Sequence, residues 1–235
     1  ILNPNTENCT PLIDFFVKNI DVEKDSKTLL HKSYLPYAES VVYSLYDNSE
    51  KLIRLTENLS DFYLKLENFQ LCLDYSMLSL QMKEVVYKDN FAYMADTYNN
   101  IANLYGTLNK ADKDLSFALK ALEYRNLVYD KDDLKIAESC NNIAITLRNK
   151  NEYRQAIDYH LKDIMICEAK LDKNDNLLAN SYYETAVTYY YLKNYNEAYF
   201  YINKALKIWK TNLPENSVDL RNAIEIQEII KRKTH

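Results

Sequence analysis

The most informative stretch of this 235-residue chain is residues 95–133, which read ADTYNNIANLYGTLNKADKDLSFALKALEYRNLVYDKDD. A copy begins at Ala137, AESCNNIAITLRNKNEYRQAIDYHLKDIMICEAKLDKND, and another at Ala179, ANSYYETAVTYYYLKNYNEAYFYINKALKIWKTNLPENS. The offsets are 137 − 95 = 42 and 179 − 137 = 42 residues, with no gap. A weaker copy starts at Ile53. A constant period of this length indicates a repeat architecture, in which each unit is one supersecondary element.

Each copy contains two helical patterns. In the first, Tyr98, Ile101, Ala102 and Tyr105 stand at i, i+3, i+4 and i+7, which places one apolar stripe on a helix. The small residue of this stripe, Ala102, allows a second helix to approach closely. Because a single helix pair cannot bury its stripe alone, the pairs must stack and share a core. We therefore predict an all-α solenoid of antiparallel helix pairs, with the first helices on the concave face.

The period also predicts the organisation of the chain. We expect four 42-residue repeats in 53–220, after a degenerate N-terminal helical repeat or cap in 1–52 and before a capping or truncated helix in 221–235. Within the first segment, residues 26–46 predict helices interrupted near Pro36. The last helix carries four isoleucines that no later repeat covers, so it is either a solvating cap or a homodimer surface: Ile224, Ile226, Ile229 and Ile230. The chain begins without Met and looks like a piece of a longer protein.

Composition excludes several classes of function. The chain has 1 glycine and 4 prolines, which argues against βαβ enzymes, β-sandwiches and glycine-rich phosphate loops. Its net charge of −5 argues against nucleic acid or an anionic membrane as the main partner. No apolar run approaches the ~20 residues of a membrane helix. Four dispersed cysteines without a C-x-x-C pair predict reduced core thiols in a cytoplasmic protein.

Catalytic and metal-binding patterns are also missing from the sequence. There are 3 histidines, and none belongs to an H-E-x-x-H motif or a spaced Cys/His set. No G-x-S-x-G motif occurs. We therefore expect no enzymatic activity, no metal site and no cofactor.

Short motifs give the repeats a family resemblance. The pattern Asn-Asn-Ile-Ala occurs at 99–102 and 141–144, and the turn pattern Asn-x-Tyr-x-x-Ala occurs at 151–156. These patterns resemble tetratricopeptide repeats in the 42-residue form of kinesin light chains. The resemblance implies a right-handed superhelical solenoid. The chain departs from the family at the turn glycine and at apolar or aromatic second-helix positions, and the departures are Asn109, Asn151, Lys193, Asp114, Asp163 and His160.

The first-helix positions beside the apolar stripe are the expected peptide-binding residues. Asparagine carboxamides can both donate and accept, so a ladder of them can hold the backbone of an extended peptide. The resemblance implies this role most directly for Asn100 and Asn142, whose family counterparts perform it. The full predicted set is Asn58, Asn99, Asn100, Asn103, Asn141, Asn142, Arg148, Asn149, Tyr183 and Tyr190. The alternative is that these are ordinary polar residues on a hydrated helix face.

Glu138 stands where a clamp for acidic peptide tails would need a lysine, so neutral or basic extended segments are favoured. The leading hypothesis is a protein-interaction scaffold. The alternative is a regulatory or sensor module that gates a fused or associated effector domain, as similar arrays do in signalling and defence proteins.

Overall fold

The computed structural model describes residues 6–20, 33–45 and 48–233, and every regular element in this part of the chain is helical. The all-α fold class is therefore confirmed. The helices are α1 (Thr6–Asn19), α2 (Leu35–Ser44), α3 (Glu50–Lys65), α4 (Phe69–Val86), α5 (Phe91–Thr107), α6 (Ala111–Val128), α7 (Leu134–Asn149), α8 (Tyr153–Lys170), α9 (Asn176–Tyr191), α10 (Tyr195–Asn212) and α11 (Val218–Lys231).

The helix starts follow the sequence period. Helices α4, α6, α8 and α10 begin at residues 69, 111, 153 and 195, so that 111 − 69, 153 − 111 and 195 − 153 are each 42. Three-residue turns join α3 to α4, α7 to α8 and α9 to α10. Turns this short fold each second helix back along the first, because no longer crossover fits within them.

The turn before each of these helices contains one residue in the left-handed region. Asn109 has φ 56°, Asn151 φ 64° and Lys193 φ 63°, which confirms that these residues replace the turn glycine. Glu67 has φ 55° and holds the same place in the weak copy, since 109 − 67 = 42. Asparagine accepts this backbone region more easily than lysine or glutamate, so Lys193 and Glu67 are the strained members.

The chain divides into two compact units, unit 1 with residues 1–117 and unit 2 with residues 118–235, and the division falls within α6. The four repeat boundaries stay predictions from the sequence. In unit 1, buried residues of α1 and α2 pack with those of α3 and α4, for example Phe16, Ala38, Leu55 and Tyr75. Pro36 lies in the first turn of α2, where proline begins a helix and does not interrupt one. Residues 26–32 and 46 of the predicted interrupted segment lie outside the described residues.

The core of unit 2 joins residues of α7 through α11. In α11, Leu220, Ala223 and Ile230 are buried in this core and Ile226 packs against it, whereas Ile224 is 37% exposed. The helix therefore covers most of its apolar face within its own chain. A homodimer through α11 stays a prediction, with less exposed apolar surface than the sequence suggested.

The three cysteines in the predicted helical patterns, Cys72, Cys140 and Cys167, are buried free thiols. Burial raises the pKa of the Cys140 thiol to about 11, so this group stays protonated at neutral pH. None of the helices in the described ranges combines the length and hydropathy needed to cross a membrane.

Candidate functional site

Unit 1 contains a cleft of about 610 Å³ between α3, α4 and α5. Helix α3 supplies one wall, α5 supplies the opposite wall, and α4 supplies the floor. The residues that line it are Arg54, Glu57, Asn58, Ser60, Asp61, Leu64, Cys72, Ser76, Ser79, Lys83, Thr97, Asn100, Ile101, Asn103, Leu104 and Thr107.

Three of the predicted peptide-binding residues come together at this cleft. Asn100 and Asn103 are exposed on α5, and Asn58 is half-buried on α3. The Nδ2 of Asn58 donates a hydrogen bond to the backbone carbonyl of Val17 at 3.0 Å, so part of this carboxamide holds α1 against α3. Asn99 is only 6% exposed and is not among the lining residues. Asn99 therefore offers a ligand far less surface than Asn100.

The floor is a polar stripe along one face of α4. Cys72, Ser76, Ser79 and Lys83 stand at i, i+4, i+7 and i+11, which superimposes them on one side of the helix. On the α3 side, the hydroxyl of Ser60 donates to the Cys72 carbonyl at 3.1 Å and lies 2.7 Å from the Ser76 hydroxyl. The floor is thus a chain of hydrogen-bonding groups beneath an open cleft.

Ser79 differs from the other floor hydroxyls. Its side chain is buried, with 2% of the residue exposed, and its Oγ has no hydrogen-bond partner among the described residues. A helical serine commonly donates to the carbonyl one turn earlier, so an unpartnered buried hydroxyl is unusual and costs free energy.

Lys83 lies at one end of the stripe and is only 5% exposed. Its Nζ lies 2.5 Å from Glu57 Oε1, donates to Thr97 Oγ1 at 3.0 Å and sits 4.3 Å from the centre of the Tyr93 ring. The Tyr93 hydroxyl donates to the same Glu57 oxygen at 2.9 Å. Burial, with the nearby Glu57 charge, raises the pKa of Tyr93 well above its usual value. The ammonium group therefore has three partners, one on α3 and two on α5.

In unit 2 the predicted residues are more strongly engaged with their neighbours. Arg148 forms a salt bridge to Glu184 Oε2 at 2.6 Å, with both side chains largely buried. The ring of Tyr183 packs at 5.4 Å from that of Trp209. Tyr190 packs against Tyr195 at 6.0 Å. These side chains build the repeats, and only part of each is left for a ligand.

The predicted asparagines of unit 2 also differ from one another. Asn149 is exposed, whereas Asn141 and Asn142 are half-buried. The Oδ1 of Asn141 is buried without a hydrogen-bond partner in the part of the chain that the structure describes.

The floor residues of the unit 1 cleft were not singled out from the sequence. A signal was present, because residues three repeats later at the same positions are apolar. In α10, the counterparts of Cys72, Ser76, Ser79 and Lys83 are residues 126 positions later, since 198 − 72 = 126, namely Ala198, Ile202, Ala205 and Trp209. Comparison with α10 shows that an apolar stripe packs at these positions, whereas α8 has the buried polar residues His160 and Asp163 at two of them.

Comparisons with known proteins agree with the repeat period. Tetratricopeptide repeat models match residues 94–133, 136–177 and 179–210. A search of curated proteins gives no match. Among solved structures, BtubC (BKLC) from P. vanneervenii has a TM-score of 0.69 at 18% identity, over 94% of this chain and 84% of that one.

Two further structures share the fold. A Podosopora anserina protein with nearly identical TPR-like repeats, provisionally assigned as a kinesin light chain, has a TM-score of 0.66 at 12% identity, over 89% of this chain and 97% of that one. The apo form of RapI has a TM-score of 0.69 at 15% identity, over 97% of this chain and 67% of that one. With its helical period, left-handed turns and matched repeats, the chain belongs to the tetratricopeptide-repeat family.

Proposed function

We propose that this protein is an interaction scaffold that binds an extended segment of a partner protein in the unit 1 cleft. The observation that supports this proposal is the cleft itself, where exposed Asn100 and Asn103 stand above a polar floor. Carboxamides at these positions can pair with backbone N–H and C=O groups whatever the side chains of the partner are. Tetratricopeptide repeats in general bind protein partners, and this cleft is where we propose that such a partner binds.

The dimensions suit a short extended segment. A volume of about 610 Å³ is within the range of roughly 300–1,000 Å³ for small-ligand sites. An extended chain advances about 3.3 Å per residue, so a few consecutive residues of a partner would occupy the cleft.

The charges of the lining favour a neutral or basic segment. Arg54 and Lys83 are balanced by Glu57 and Asp61, so the cleft has no excess of positive charge for an acidic peptide. The three buried free thiols, Cys72, Cys140 and Cys167, suit a reducing compartment, and we place the protein in the cytoplasm on that ground.

A peptide-display experiment tests this function. Seven-residue random peptides are selected on the full chain, and the Kd of each selected peptide is measured by fluorescence anisotropy. We expect Asn100→Ala combined with Asn103→Ala to weaken binding at least tenfold, which is the loss of about 1.4 kcal/mol. Asn126→Ala, an exposed helical asparagine away from the cleft, is the matched control and should leave Kd unchanged. Equal Kd values for all three proteins would reject the cleft as the binding site.

A further inference from the structure

We propose that the floor of the unit 1 cleft recognises a neutral polar side chain of the bound segment, a carboxamide or a hydroxyl, through Ser79. This inference rests on the proposed function, because it names the side-chain class that the same cleft accepts.

The charged groups near the floor offer no free partner of opposite charge to an ionised side chain. The three ammonium protons of Lys83 have three partners at hand, the Glu57 carboxylate, the Thr97 hydroxyl and the Tyr93 ring. An acidic side chain would therefore find no unused donor on Lys83 and would meet the Glu57 carboxylate. A basic side chain would have to approach the buried Lys83 ammonium. A buried charge without a partner is strongly unfavourable, so both classes are disfavoured at this depth.

The hydroxyl of Ser79 calls for a polar partner. Its Oγ is buried without a hydrogen bond in the described residues, and Ser79 lines the same cleft as the hydrogen-bonded Ser60 and Ser76 hydroxyls. An apolar side chain placed here would cover the hydroxyl group and leave it unsatisfied. A carboxamide can donate and accept at once, and a hydroxyl can do the same, so either one satisfies Ser79 whichever way its proton points.

The repeats show that this hydroxyl is not needed to pack the helix. Ala121 in α6 and Ala205 in α10 hold the position of Ser79, since 121 − 79 = 42 and 205 − 79 = 126, and both alanines are fully buried. In α8 the position is taken by the buried Asp163, since 163 − 79 = 84. Alanine therefore fits this place in the repeat. The serine in α4 coincides with the cleft, which is where a ligand would use it.

The test is a positional-scanning library of seven-residue peptides, in which each position in turn is held at each amino acid, read out on the full wild-type chain. We expect one position to prefer Asn, Gln, Ser or Thr. In the best peptide, alanine at that position should raise the Kd for wild type about tenfold. It should raise the Kd for Ser79→Ala less than threefold, because that variant already lacks the hydroxyl with which the peptide side chain would pair. Ser116→Ala, an exposed helical serine outside the cleft, should behave as wild type.

Stability provides a second measurement. Since the Ser79 hydroxyl makes no hydrogen bond within the described residues, Ser79→Ala should unfold at the same urea concentration as wild type or a higher one. A preference for aromatic, aliphatic or charged residues at every position would overturn the inference, and so would an equal alanine effect on wild type and Ser79→Ala. If no peptide binds in a way that depends on Asn100 and Asn103, the proposed function itself fails and this inference fails with it.

Discussion

Removing the charge of Asp163 should stabilise the protein more at neutral pH than in acid. Asp163 is only 2% exposed on α8, where its Oδ1 accepts a hydrogen bond from the Cys167 thiol at 3.2 Å. Its Oδ2 has no partner within the described residues. Burial raises the pKa of Asp163 to about 6 from the ordinary 3.8, although hydrogen bonds from Ser181 and Cys167 partly oppose this rise.

The sign and size of the effect follow from proton linkage. Because the folded carboxyl holds its proton to higher pH than the unfolded one, the unfolded state ionises first and gains stability as pH rises through 3.8. The penalty stops growing above the folded pKa of about 6, where it reaches about 3 kcal/mol at roughly 1.36 kcal/mol per pKa unit. At pH 4.5 the same relation gives about 1 kcal/mol. The penalty should therefore grow by about 2 kcal/mol between pH 4.5 and 7.5.

The assay is urea unfolding followed by circular dichroism at pH 4.5 and 7.5. Asp163→Asn keeps the shape and removes the ionisation, so its free energy of unfolding relative to wild type should rise by about 2 kcal/mol from the lower to the higher pH. The contributions of other titrating groups cancel in this comparison. Asp158→Asn, on the exposed face of the same helix, should show no such rise. A difference between Asp163→Asn and wild type that is the same at both pH values would refute the assignment of a raised pKa to Asp163.

Three further predictions concern α8, α10 and the turn that precedes α10. Burial lowers the pKa of His160 to about 3 from 6.5, so this group should cost wild type about 3 kcal/mol between pH 7.5 and 4.5 as the unfolded chain takes up a proton. In urea unfolding, the free energy of unfolding of wild type relative to His160→Gln should fall by that amount from the higher to the lower pH. Lys193→Gly at φ 63° should raise the free energy of unfolding by about 1 kcal/mol, because glycine accepts the left-handed region without strain; a lower Tm would contradict this. The Asn194 side chain caps α10 by accepting a hydrogen bond from the Glu197 N–H. Asn194→Ala should therefore lower the free energy of unfolding by about 1 kcal/mol, measured by urea unfolding. The neighbouring Asn196→Ala should cost nothing.

The features that sequence predicts well here are local. The helix pairs, their period and the left-handed residues Asn109, Asn151 and Lys193 depend on backbone torsions and on the 3.6-residue spacing of apolar residues, and both are visible within one repeat. Placing Asn100 and Asn103 on an exposed face follows from the same spacing. Asn99 shows where this kind of prediction fails, because it was expected on the exposed face with Asn100 but is buried. Successive residues of a helix point about 100° apart, so whether a residue at the edge of the apolar stripe is buried depends on how closely the next helix approaches.

The cleft floor depends on contacts between residues far apart in the chain. Lys83 contacts Glu57 and Thr97, which lie on two different helices and are 83 − 57 = 26 and 97 − 83 = 14 residues away along the chain. The same holds for Ser79, because the absence of a hydrogen-bond partner for its hydroxyl among the described residues depends on three packed helices and not on its own helix alone. Periodicity specifies which face a side chain takes, but the partners across that face follow from how neighbouring helices pack, and only the tertiary structure shows them.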